Sequence, residues 1–412
     1  MAKSILVIGG GFGGITAALE AAEVGYEVFL IEKRPFLGGR VAQLNKYFPK
    51  LCPPSCGLEI QYQRIKKSKN LKFFTMAEVV SVSGEPGNYE VAVRIKPRYT
   101  VPASVDLSDL AKELKMTIPN EFDFSLSRRK PLYIESPFAY PHRYVLDVEY
   151  LTEEDKAKLS KSKYINLQDS EKVITLNVGA IIIATGWKPY DVTKLTNLGA
   201  GKLQNVITNM QMERLASPCG PTNGRILRPS DEKPPKRVAF VQCAGSRDEN
   251  HLSYCSYICC MASLKQASYL LEQYPDCEVT IFYIDLRTPG RYEKFAKKIL
   301  DSNRVKTIKG KVAALEQDVR TNGVWVTAED AIKGNKLEDC FDLVVLATGM
   351  QPSLAGETFP IDVPMDEEGF IIGGEEQGIF CAGCAKEPVD VMKTAQSATG
   401  AALKAIQMVR GR

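Results

Sequence analysis

A run of six residues near the N-terminus, five of them glycine, most constrains the fold of this chain. The run, Gly9-Gly10-Gly11-Phe12-Gly13-Gly14, joins an apolar segment at 4–8 to a helical pattern at 15–22, and a second apolar segment follows at 27–32. A strand, a glycine turn, a helix and a strand within about 30 residues form a βαβ unit. The Gly-x-Gly-x-x-Gly spacing lets the backbone approach a dinucleotide diphosphate at the helix N-terminus. The sequence therefore predicts an α/β fold that begins with a Rossmann-like unit.

An acidic residue in the expected place strengthens this prediction. Glu32 lies 18 residues after Gly14, at the end of the second predicted strand. A carboxylate there can accept hydrogen bonds from ribose hydroxyls. Two other interpretations stay open, namely a glycine turn without a ligand and a site for NAD. Three features favour FAD: Gly38-Gly39-Arg40, the Ala-Thr-Gly strand ends at 184–186 and 347–349, and the segment 378–383.

Four cysteines mark a second predicted strand-to-helix turn in the middle of the chain. They are Cys243, Cys255, Cys259 and Cys260. An apolar run precedes them at 238–241, and a helical pattern follows at 261–271. Only one glycine, Gly245, lies in this turn, whereas a second dinucleotide site needs several. Four thiolates are the ligand set of a [4Fe–4S] cluster. The adjacent Cys259-Cys260 departs from the usual spacing of zinc ligands, and buried structural thiols stay an alternative.

Composition restricts the class of protein. Eleven cysteines and two histidines occur in 412 residues, which favours thiolate chemistry over histidine-based catalysis. A net charge of +4 gives no support for a nucleic-acid partner. No apolar run reaches the roughly 18 residues of a membrane-spanning helix, and the first residues lead directly into a strand instead of a secretory signal. We therefore expect a cytoplasmic protein with no direct membrane span.

The order of these segments predicts two Rossmann-like dinucleotide-binding domains. Residues 1–190 and 347–412 are expected to form a discontinuous FAD-binding domain, with an insertion at about 97–131. The proline-containing segment 191–235 is expected to be a linker. Residues 236–346 are expected to form a degenerate NAD-domain-like unit that carries the iron–sulfur site.

The order of the FAD-favouring segments resembles the flavoproteins with two dinucleotide-binding domains, such as thioredoxin and glutathione reductases. The resemblance implies that Gly383 and its neighbour approach the flavin diphosphate and ribityl chain, and that the last helix directs its positive end at the flavin. That family usually has Asp after this glycine, whereas this chain has Cys384. The predicted FAD-binding residues are Gly9, Gly11, Phe12, Gly13, Gly14, Glu32, Lys33, Gly39, Arg40, Val41, Thr185, Gly186, Gly383 and Cys384.

The cysteine turn closely resembles the flavoprotein A subunit of heterodisulfide reductases. The matching motifs are Val-Gln-Cys-Ala-Gly-Ser-Arg-Asp at 241–248 and Tyr-Cys-Ser-Tyr-Ile-Cys-Cys-Met-Ala-Ser-Leu-Lys at 254–265, and the resemblance extends over nearly the whole chain. In that family the matching cysteines hold a cluster beside FAD. The resemblance implies an electron-transfer flavoprotein that exchanges one or two electrons at FAD and one at the cluster.

Two departures from typical members of that family narrow the resemblance. Typical members carry ferredoxin-type cysteines after the Pro97-Arg98-Tyr99 motif, whereas this chain has no cysteine between Tyr99 and Cys219 and ends at the last flavin helix. This short form is most similar to the flavoprotein A subunit of the quinone-interacting membrane-bound oxidoreductase complex of sulfate-reducing microbes. That resemblance implies electron relay between the menaquinone pool and adenylylsulfate reductase. It also implies peripheral membrane association through two partners, a heme-bearing membrane subunit and a sister flavoprotein/iron–sulfur subunit.

A separate pair of cysteines, Cys52 and Cys56, lies 13 residues after Gly39. Disulfide reductases of this superfamily place a reactive cysteine pair soon after the Gly-Gly segment. The pair is interpreted as redox-active near the flavin, as touching a partner's cofactor, or as only packed. Three alternative functions also stay open for the protein as a whole. They are a soluble electron-transfer flavoprotein of the heterodisulfide reductase type, a freestanding NAD(P)H-dependent disulfide or quinone reductase that uses this pair, and a scaffold that keeps flavin for structure.

Overall fold

The computed structural model describes residues 3–102 and 105–411. The chain divides into two compact units, the first formed by Met1–Trp187 and Pro352–Arg412 and the second by Lys188–Gln351. Each unit contains a five-stranded parallel sheet. The predicted α/β class with two Rossmann-like units is thereby confirmed.

The first part of the chain forms these elements: β1 (Ser4–Ile8), α1 (Phe12–Glu23), β2 (Glu27–Glu32), α2 (Pro54–Lys67), β3 (Leu71–Thr75), β4 (Ala77–Glu85), β5 (Asn88–Ile95), α3 (Ser108–Lys112), β6 (Ile118–Pro119), β7 (Arg128–Arg129), β8 (Leu132–Tyr133), β9 (Val145–Leu146), α4 (Glu153–Leu159), β10 (Lys172–Val178), β11 (Ala180–Ile183) and β12 (Trp187–Pro189). The second unit follows: β13 (Val206–Thr208), α5 (Asn209–Ala216), β14 (Arg237–Ala244), α6 (Cys259–Gln273), β15 (Glu278–Tyr283), α7 (Glu293–Leu300), β16 (Val305–Lys309), β17 (Val312–Gln317), β18 (Val324–Asp330), β19 (Asn335–Phe341), β20 (Leu343–Thr348) and β21 (Met350–Pro352). The first unit is then completed by β22 (Ile379–Cys381) and α8 (Val391–Arg410).

The parallel sheet of the first unit has the strand order β22-β11-β1-β2-β3. Every residue of β1 is buried, because both faces of the sheet are covered. Ile5 and Val7 pack with apolar residues of α1, α2 and α8. Leu6 and Ile8 pack on the other face with residues of the antiparallel sheet β10-β5-β4. Successive side chains of a strand point to opposite faces, so one strand supplies two cores.

The insertion after β5 is longer than the sequence predicts. The segment between β5 and β10 contains α3, α4 and four short strands. Its leucines form a small core of their own with Ala111 and Ile165, namely Leu107, Leu114, Leu132, Leu146 and Leu159. The boundary predicted near residue 131 is therefore wrong, because the apolar residues that join the two halves of this segment are far apart in sequence.

The parallel sheet of the second unit has the strand order β13-β20-β14-β15-β16. Ala239 and Val241 of β14 pack with Val324 and Val326 of the antiparallel sheet β17-β18-β19. Helix α6 contacts β14 and β20. This unit therefore repeats the layered plan of the first.

Residues 191–235 are part of the second unit, so the prediction of a linker is wrong. Strand β13 extends the parallel sheet, with Val206 opposite Val344. Helix α5 buries Met210, Met212 and Leu215. The prolines that suggested a linker flank these elements without interrupting them, which is where proline is tolerated.

Among the helices of the residues that the structure describes, none has the length and apolar character of a membrane span.

Candidate cofactor sites

The turn between β1 and α1 requires glycine for steric reasons. A Cβ on Gly14 would lie 1.8 Å from the backbone oxygen of Gly9, and a Cβ on Gly9 would lie 2.3 Å from the oxygen of Ala184. Gly9 also has a φ of +110°, a conformation that side chains disfavour. At this turn the backbones of β1, α1 and the end of β11 are too close together for a Cβ atom to fit. The predicted glycines therefore lie where three backbone segments come close together.

The Gly-Gly segment lies alongside this turn. The N–H of Gly38 donates to the oxygen of Gly10 over 2.8 Å. Gly39 has a φ of +57°, and a Cβ on it would lie 2.8 Å from the Cα of Gly11. Two backbone segments without side chains thus meet at the N-terminus of α1, where phosphate oxygens can approach backbone N–H groups.

Glu32 is buried at the end of β2 and fixed by two backbone donors. Its Oε2 accepts from Gly10 N–H at 2.6 Å and its Oε1 from Arg34 N–H at 2.7 Å. Burial raises the pKa of Glu32, although both of these donors oppose the rise. Each carboxylate oxygen retains a second lone pair, so Glu32 can still accept from a ribose hydroxyl.

The end of β11 presents polar and glycine positions beside the turn. The buried Oγ1 of Thr185 has no hydrogen-bond partner within the described part of the chain. Gly186 has a φ of +71°, and nothing lies within 4 Å of a Cβ built on it. A buried hydroxyl without a partner is costly, which points to a polar ligand that the chain itself does not supply.

Helix α8 begins against two of the glycines. A Cβ on Gly13 or on Gly383 would lie 2.9 Å from the Cγ2 of Thr394, in the first turn of α8. Gly383 N–H donates to Ser397 Oγ at 3.1 Å. The N-termini of α1 and α8, which both carry partial positive charge, therefore lie close together. The sequence reasoning missed Thr394, since nothing in its local pattern marks a contact with two distant glycines.

The other predicted flavin residues occupy varied surroundings. Arg40 donates to Trp187 O at 3.2 Å and to Gln43 Oε1 at 3.0 Å, and burial lowers its pKa to about 10. Val41 is partly buried and packs against the core that contains Ile5 and Val7. Lys33 is exposed. Cys384 is buried and its thiol donates to Val389 O at 3.4 Å, so this side chain is directed at its own loop.

Taken together, these residues fit a dinucleotide. The first unit provides two glycine backbones at a helix N-terminus, a carboxylate at the end of β2 and an unpartnered hydroxyl at the end of β11. The glycine turn, the helix N-terminus and the carboxylate are features that a dinucleotide site of this kind uses, and the hydroxyl offers a further polar group.

The cysteine turn of the second unit follows a distorted strand. The register of β14 against β20 shifts between Val241 and Ala244, and Cys243 has a φ of +55°. Such a bulge redirects a side chain at the end of a strand. Cys259 and Cys260 then begin α6. The four predicted ligands thus lie on one strand-to-helix connection.

The four thiols are close enough for their charges to interact. Burial raises the pKa of the Cys259 thiol above its usual range, and the thiols of Cys260, Cys243 and Cys255 raise it further. Burial also raises the pKa of Cys243, with contributions from Cys260 and Cys255 in the same direction, whereas the Arg247 guanidinium lowers it. Several thiolates at one place are stable only with a compensating positive charge, such as a metal centre.

Two of the thiols have backbone acceptors at separate places in the second unit. Within the described residues, no group of three or more His, Cys, Asp or Glu side chains is arranged to hold one metal ion. A [4Fe–4S] cluster takes one thiolate at each of its four iron atoms, so its ligands lie around it. Cys259 Sγ lies 3.5 Å from Thr348 O, and Cys260 Sγ lies 3.5 Å from Asp285 O, on separate strand ends.

Buried polar groups close in sequence to the four cysteines also lack partners. Gln242, which immediately precedes Cys243, is 5% exposed. Neither polar atom of its carboxamide has a partner among the described residues, and the same holds for Ser263 Oγ on α6. Hydrogen-bond donors next to thiolates suit the sulfur atoms of a cluster. The residues present therefore fit a [4Fe–4S] cluster.

The cysteine turn and the glycine turn have the same topological position in their own sheets. In the first sheet β1 lies between β2 and β11, and in the second β14 lies between β15 and β20. Ligands of open parallel sheets bind where the strand order reverses, at the carboxyl ends of such strands. In the second unit that position holds cysteines.

The pair Cys52 and Cys56 lies at the start of α2. Cys56 is exposed in the first turn of that helix, and Cys52 is half-buried. The backbone of Tyr47 donates to Cys52 O at 3.0 Å, and a Cβ on Gly57 would lie 2.1 Å from the Tyr47 hydroxyl. Burial and both thiols raise the pKa of Tyr47. The two cysteines and Tyr47 therefore form one local group in the first unit.

Comparison with known proteins agrees with both halves of this picture. Residues 4–56 match the family of FAD dependent oxidoreductases. Over the whole chain, the backbone is similar to Lactococcus lactis thioredoxin reductase, with a TM-score of 0.55 and 14% identity, covering 100% of both chains. This similarity supports the fold. The predicted flavin-binding fold is thereby confirmed.

Two archaeal proteins show closer similarity in sequence. One of them, the second iron–sulfur A subunit of the CoB–CoM heterodisulfide reductase of Methanopyrus kandleri, is 37% identical over 97% of this chain and 63% of its own length. The A subunit of the H2:CoB–CoM heterodisulfide,ferredoxin reductase of Methanothermobacter marburgensis is 36% identical over 98% of this chain and 64% of its own length. The chain thus spans somewhat less than two thirds of these relatives. The name of the first relative, an iron–sulfur protein, agrees with the predicted iron–sulfur cofactor. The chain is a homologue of the flavoprotein A subunits of heterodisulfide reductases.

Proposed function

We propose that this chain is an electron-transfer subunit of a multisubunit oxidoreductase, with FAD in its first unit and a [4Fe–4S] cluster in its second. The observation that carries the proposal concerns the equivalent turns of the two sheets. The turn after β1 in the first unit contains glycines, whereas the turn that begins at the end of β14 in the second unit contains cysteines. When bound, the flavin supplies one- or two-electron exchange and the cluster supplies one-electron exchange. The chain's own residues then bind and orient the two groups.

Each unit binds a different cofactor. In the first unit, Glu32 is held by Gly10 N–H at 2.6 Å in a position to accept from a ribose hydroxyl. The glycine turn and the start of α8 supply backbone N–H groups and helix ends for the diphosphate. In the second unit, Cys243, Cys255, Cys259 and Cys260 are the cluster ligands.

A narrower role is also proposed, namely electron relay between the menaquinone pool and adenylylsulfate reductase in sulfate reduction. The insertion supports it. This segment has no cysteine and packs around leucines, so it is built for packing and not for ferredoxin-type clusters. The proposed partners are a heme-bearing membrane subunit and a sister flavoprotein/iron–sulfur subunit, through which the chain associates peripherally with the cytoplasmic membrane.

Anaerobic purification of the full chain tests the cofactors. We expect FAD together with iron and acid-labile sulfide at about four of each per chain. Cys259→Ser should lose the iron and keep FAD, because Cys259 belongs to the second unit. Cys219→Ser is the matched control, since this exposed thiol lies outside the cysteine turn. If the unmodified chain contains no more iron than the background level, the proposal is contradicted.

The narrower role is tested by the choice of oxidant. The reduced chain, prepared with its partners, is mixed in stopped flow with adenylylsulfate reductase or with the CoB–CoM heterodisulfide. Faster reoxidation by adenylylsulfate reductase supports the proposed relay. Faster reoxidation by the heterodisulfide favours the soluble heterodisulfide reductase type instead.

The freestanding reductase is a second candidate because Cys56 is exposed at the start of α2. It requires a pyridine nucleotide site, and the turn after β14 has one glycine. Rapid bleaching of the flavin of the isolated chain by NADH favours this candidate. The pair would act in the next step, when the reduced flavin passes its electrons on, so unchanged turnover of Cys56→Ser with NADH and a disulfide or quinone excludes the pair from the reaction.

A further inference from the structure

An arginine of the cysteine turn places a positive charge near one of the thiols. Arg247 lies four residues after Cys243, with a φ of +56°, and its N–H donates to Tyr254 O at 3.1 Å. The turn is thereby closed, and the Arg247 guanidinium lies near enough to the Cys243 thiol to oppose the rise that burial causes in the pKa of that thiol. The side chain is 25% exposed, so part of its charge is shielded from water.

A carboxylate on the next strand holds this arginine in place. Arg247 Nη2 lies 2.9 Å from Asp285 Oδ2, just beyond the end of β15. The backbone oxygen of the same aspartate accepts from the Cys260 thiol at 3.5 Å. A second arginine, Arg287, lies 3.9 Å from the same carboxylate oxygen. The Arg247–Asp285 pair therefore connects the surroundings of two thiols, Cys243 and Cys260.

Opposite charges at this place have opposite effects on a bound cluster. Addition of an electron makes an iron–sulfur centre and its thiolates more negative. A guanidinium near a ligand sulfur stabilises that state, whereas a nearby carboxylate destabilises it. Half of the Asp285 side chain is exposed, so its effect should be the weaker of the two.

We propose that the Arg247–Asp285 ion pair sets the reduction potential of the cluster, with Arg247 raising the potential and Asp285 both positioning Arg247 and offsetting its charge. This inference rests on the proposed cluster at Cys243, Cys255, Cys259 and Cys260. Arg247 is a positioning and tuning residue here. It supplies no ligand.

The test is an anaerobic redox titration of the full chain, followed by electron paramagnetic resonance, after iron and sulfide have been measured. Arg247→Gln should shift the midpoint to a more negative value. At a fixed poise the ratio of reduced to oxidised cluster should then fall by roughly threefold or more. Asp285→Asn removes the negative charge but keeps a side-chain oxygen that can accept from Arg247, so it should shift the midpoint to a more positive value. Arg247→Lys keeps the charge and should restore most of the unmodified midpoint.

A control variant removes the same charge elsewhere. Arg237 begins β14, six residues before Cys243, and pairs with Asp339 at 2.7 Å. At about 3.3 Å per residue it lies roughly 20 Å away along the strand, beyond the screening length of ordinary buffers. Arg237→Gln should therefore leave the midpoint unchanged.

The outcomes separate this inference from the proposed function. If the unmodified chain holds no iron and sulfide, the proposed function fails and the tuning role fails with it. If the cluster is present and Arg247→Gln and Asp285→Asn leave the midpoint unchanged, or shift it the same way, only the tuning role is overturned. Should Arg247→Gln fail to assemble a cluster, the shifts of Asp285→Asn and Arg247→Lys decide.

Discussion

The carboxylate of Glu32 accepts a hydrogen bond from the backbone N–H of Gly10 over 2.6 Å. This bond joins the end of β2 to the glycine turn after β1, and a second bond from Arg34 N–H at 2.7 Å fixes the other oxygen. The carboxylate is thus oriented before any ligand binds. Several expected outcomes depend on this arrangement and on its neighbours.

Glu32→Ala should weaken flavin binding by roughly 1.5–3 kcal/mol, the usual value of hydrogen bonds to a charged group. Flavin retained after gel filtration, measured by its absorbance, checks this. Glu27→Ala is the matched control, because Glu27 begins the same strand and is exposed with Lys72. Equal flavin retention in both variants would exclude a specific role for Glu32.

The pH dependence of stability should also report on Glu32. Burial raises its pKa above the ordinary 4.5. The folded state therefore binds this proton more tightly than the unfolded state, so the contribution is fully present below pH 4.5 and is lost as the pH rises through the raised pKa. After flavin removal, urea unfolding of the unmodified protein should lose stability over this range relative to Glu32→Gln. If the unmodified protein instead gains unfolding free energy relative to Glu32→Gln as the pH rises, this explanation is wrong.

Gly14→Ala should destabilise the first unit severely and abolish flavin retention. Its Cβ would lie 1.8 Å from the backbone oxygen of Gly9, so α1 must separate from β1. The control is Gly400→Ala on α8, where nothing lies within 4 Å of the new Cβ. That variant should be neutral or more stable by up to about 1 kcal/mol, because alanine favours helix. Thermal unfolding of both variants provides the comparison.

Lys265→Met should cost about 3–5 kcal/mol in the free energy of unfolding, since it leaves the Glu213 charge buried without this partner. The two side chains are 3.1 Å apart and 5% and 2% exposed. Lys112→Met breaks an exposed, solvent-screened pair with Asp109 and should cost far less. Denaturant unfolding measures both. Similar losses of unfolding free energy in the two variants would contradict the larger cost expected for the buried Lys265 pair.

Thiol reactivity should divide the cysteines by burial. Iodoacetamide at about pH 8 should label the exposed Cys56 and Cys219 first. Cys277 and Cys381 should react far more slowly, because burial raises the pKa of each thiol to about 12. Mass spectrometry of peptides over a time course gives the rates. Slow labelling of Cys56 would contradict its exposed position at the start of α2.

The local signals in the sequence predicted both candidate sites at the level of turns. The glycines at 9–14 follow β1 directly, and the cysteines at 243–260 run from the end of β14 to the start of α6, as their spacing indicated. Such patterns are readable because strand, turn and helix preferences depend on residues a few positions apart. Proline gave the wrong signal at 191–235, since its position relative to β13 and α5 decides whether it interrupts an element.

The sequence alone determined the fold class, the two strand-to-helix turns and the residue types offered to flavin and to iron, because these are encoded in short runs of glycine, cysteine and apolar residues. Tertiary structure alone decided which distant residues complete each site. Thr394 meets Gly13 and Gly383, and Arg247 meets Asp285, 38 residues further along the chain. The physical reason is that such contacts depend on the packing of parallel strands and helices in three dimensions, which no local pattern records.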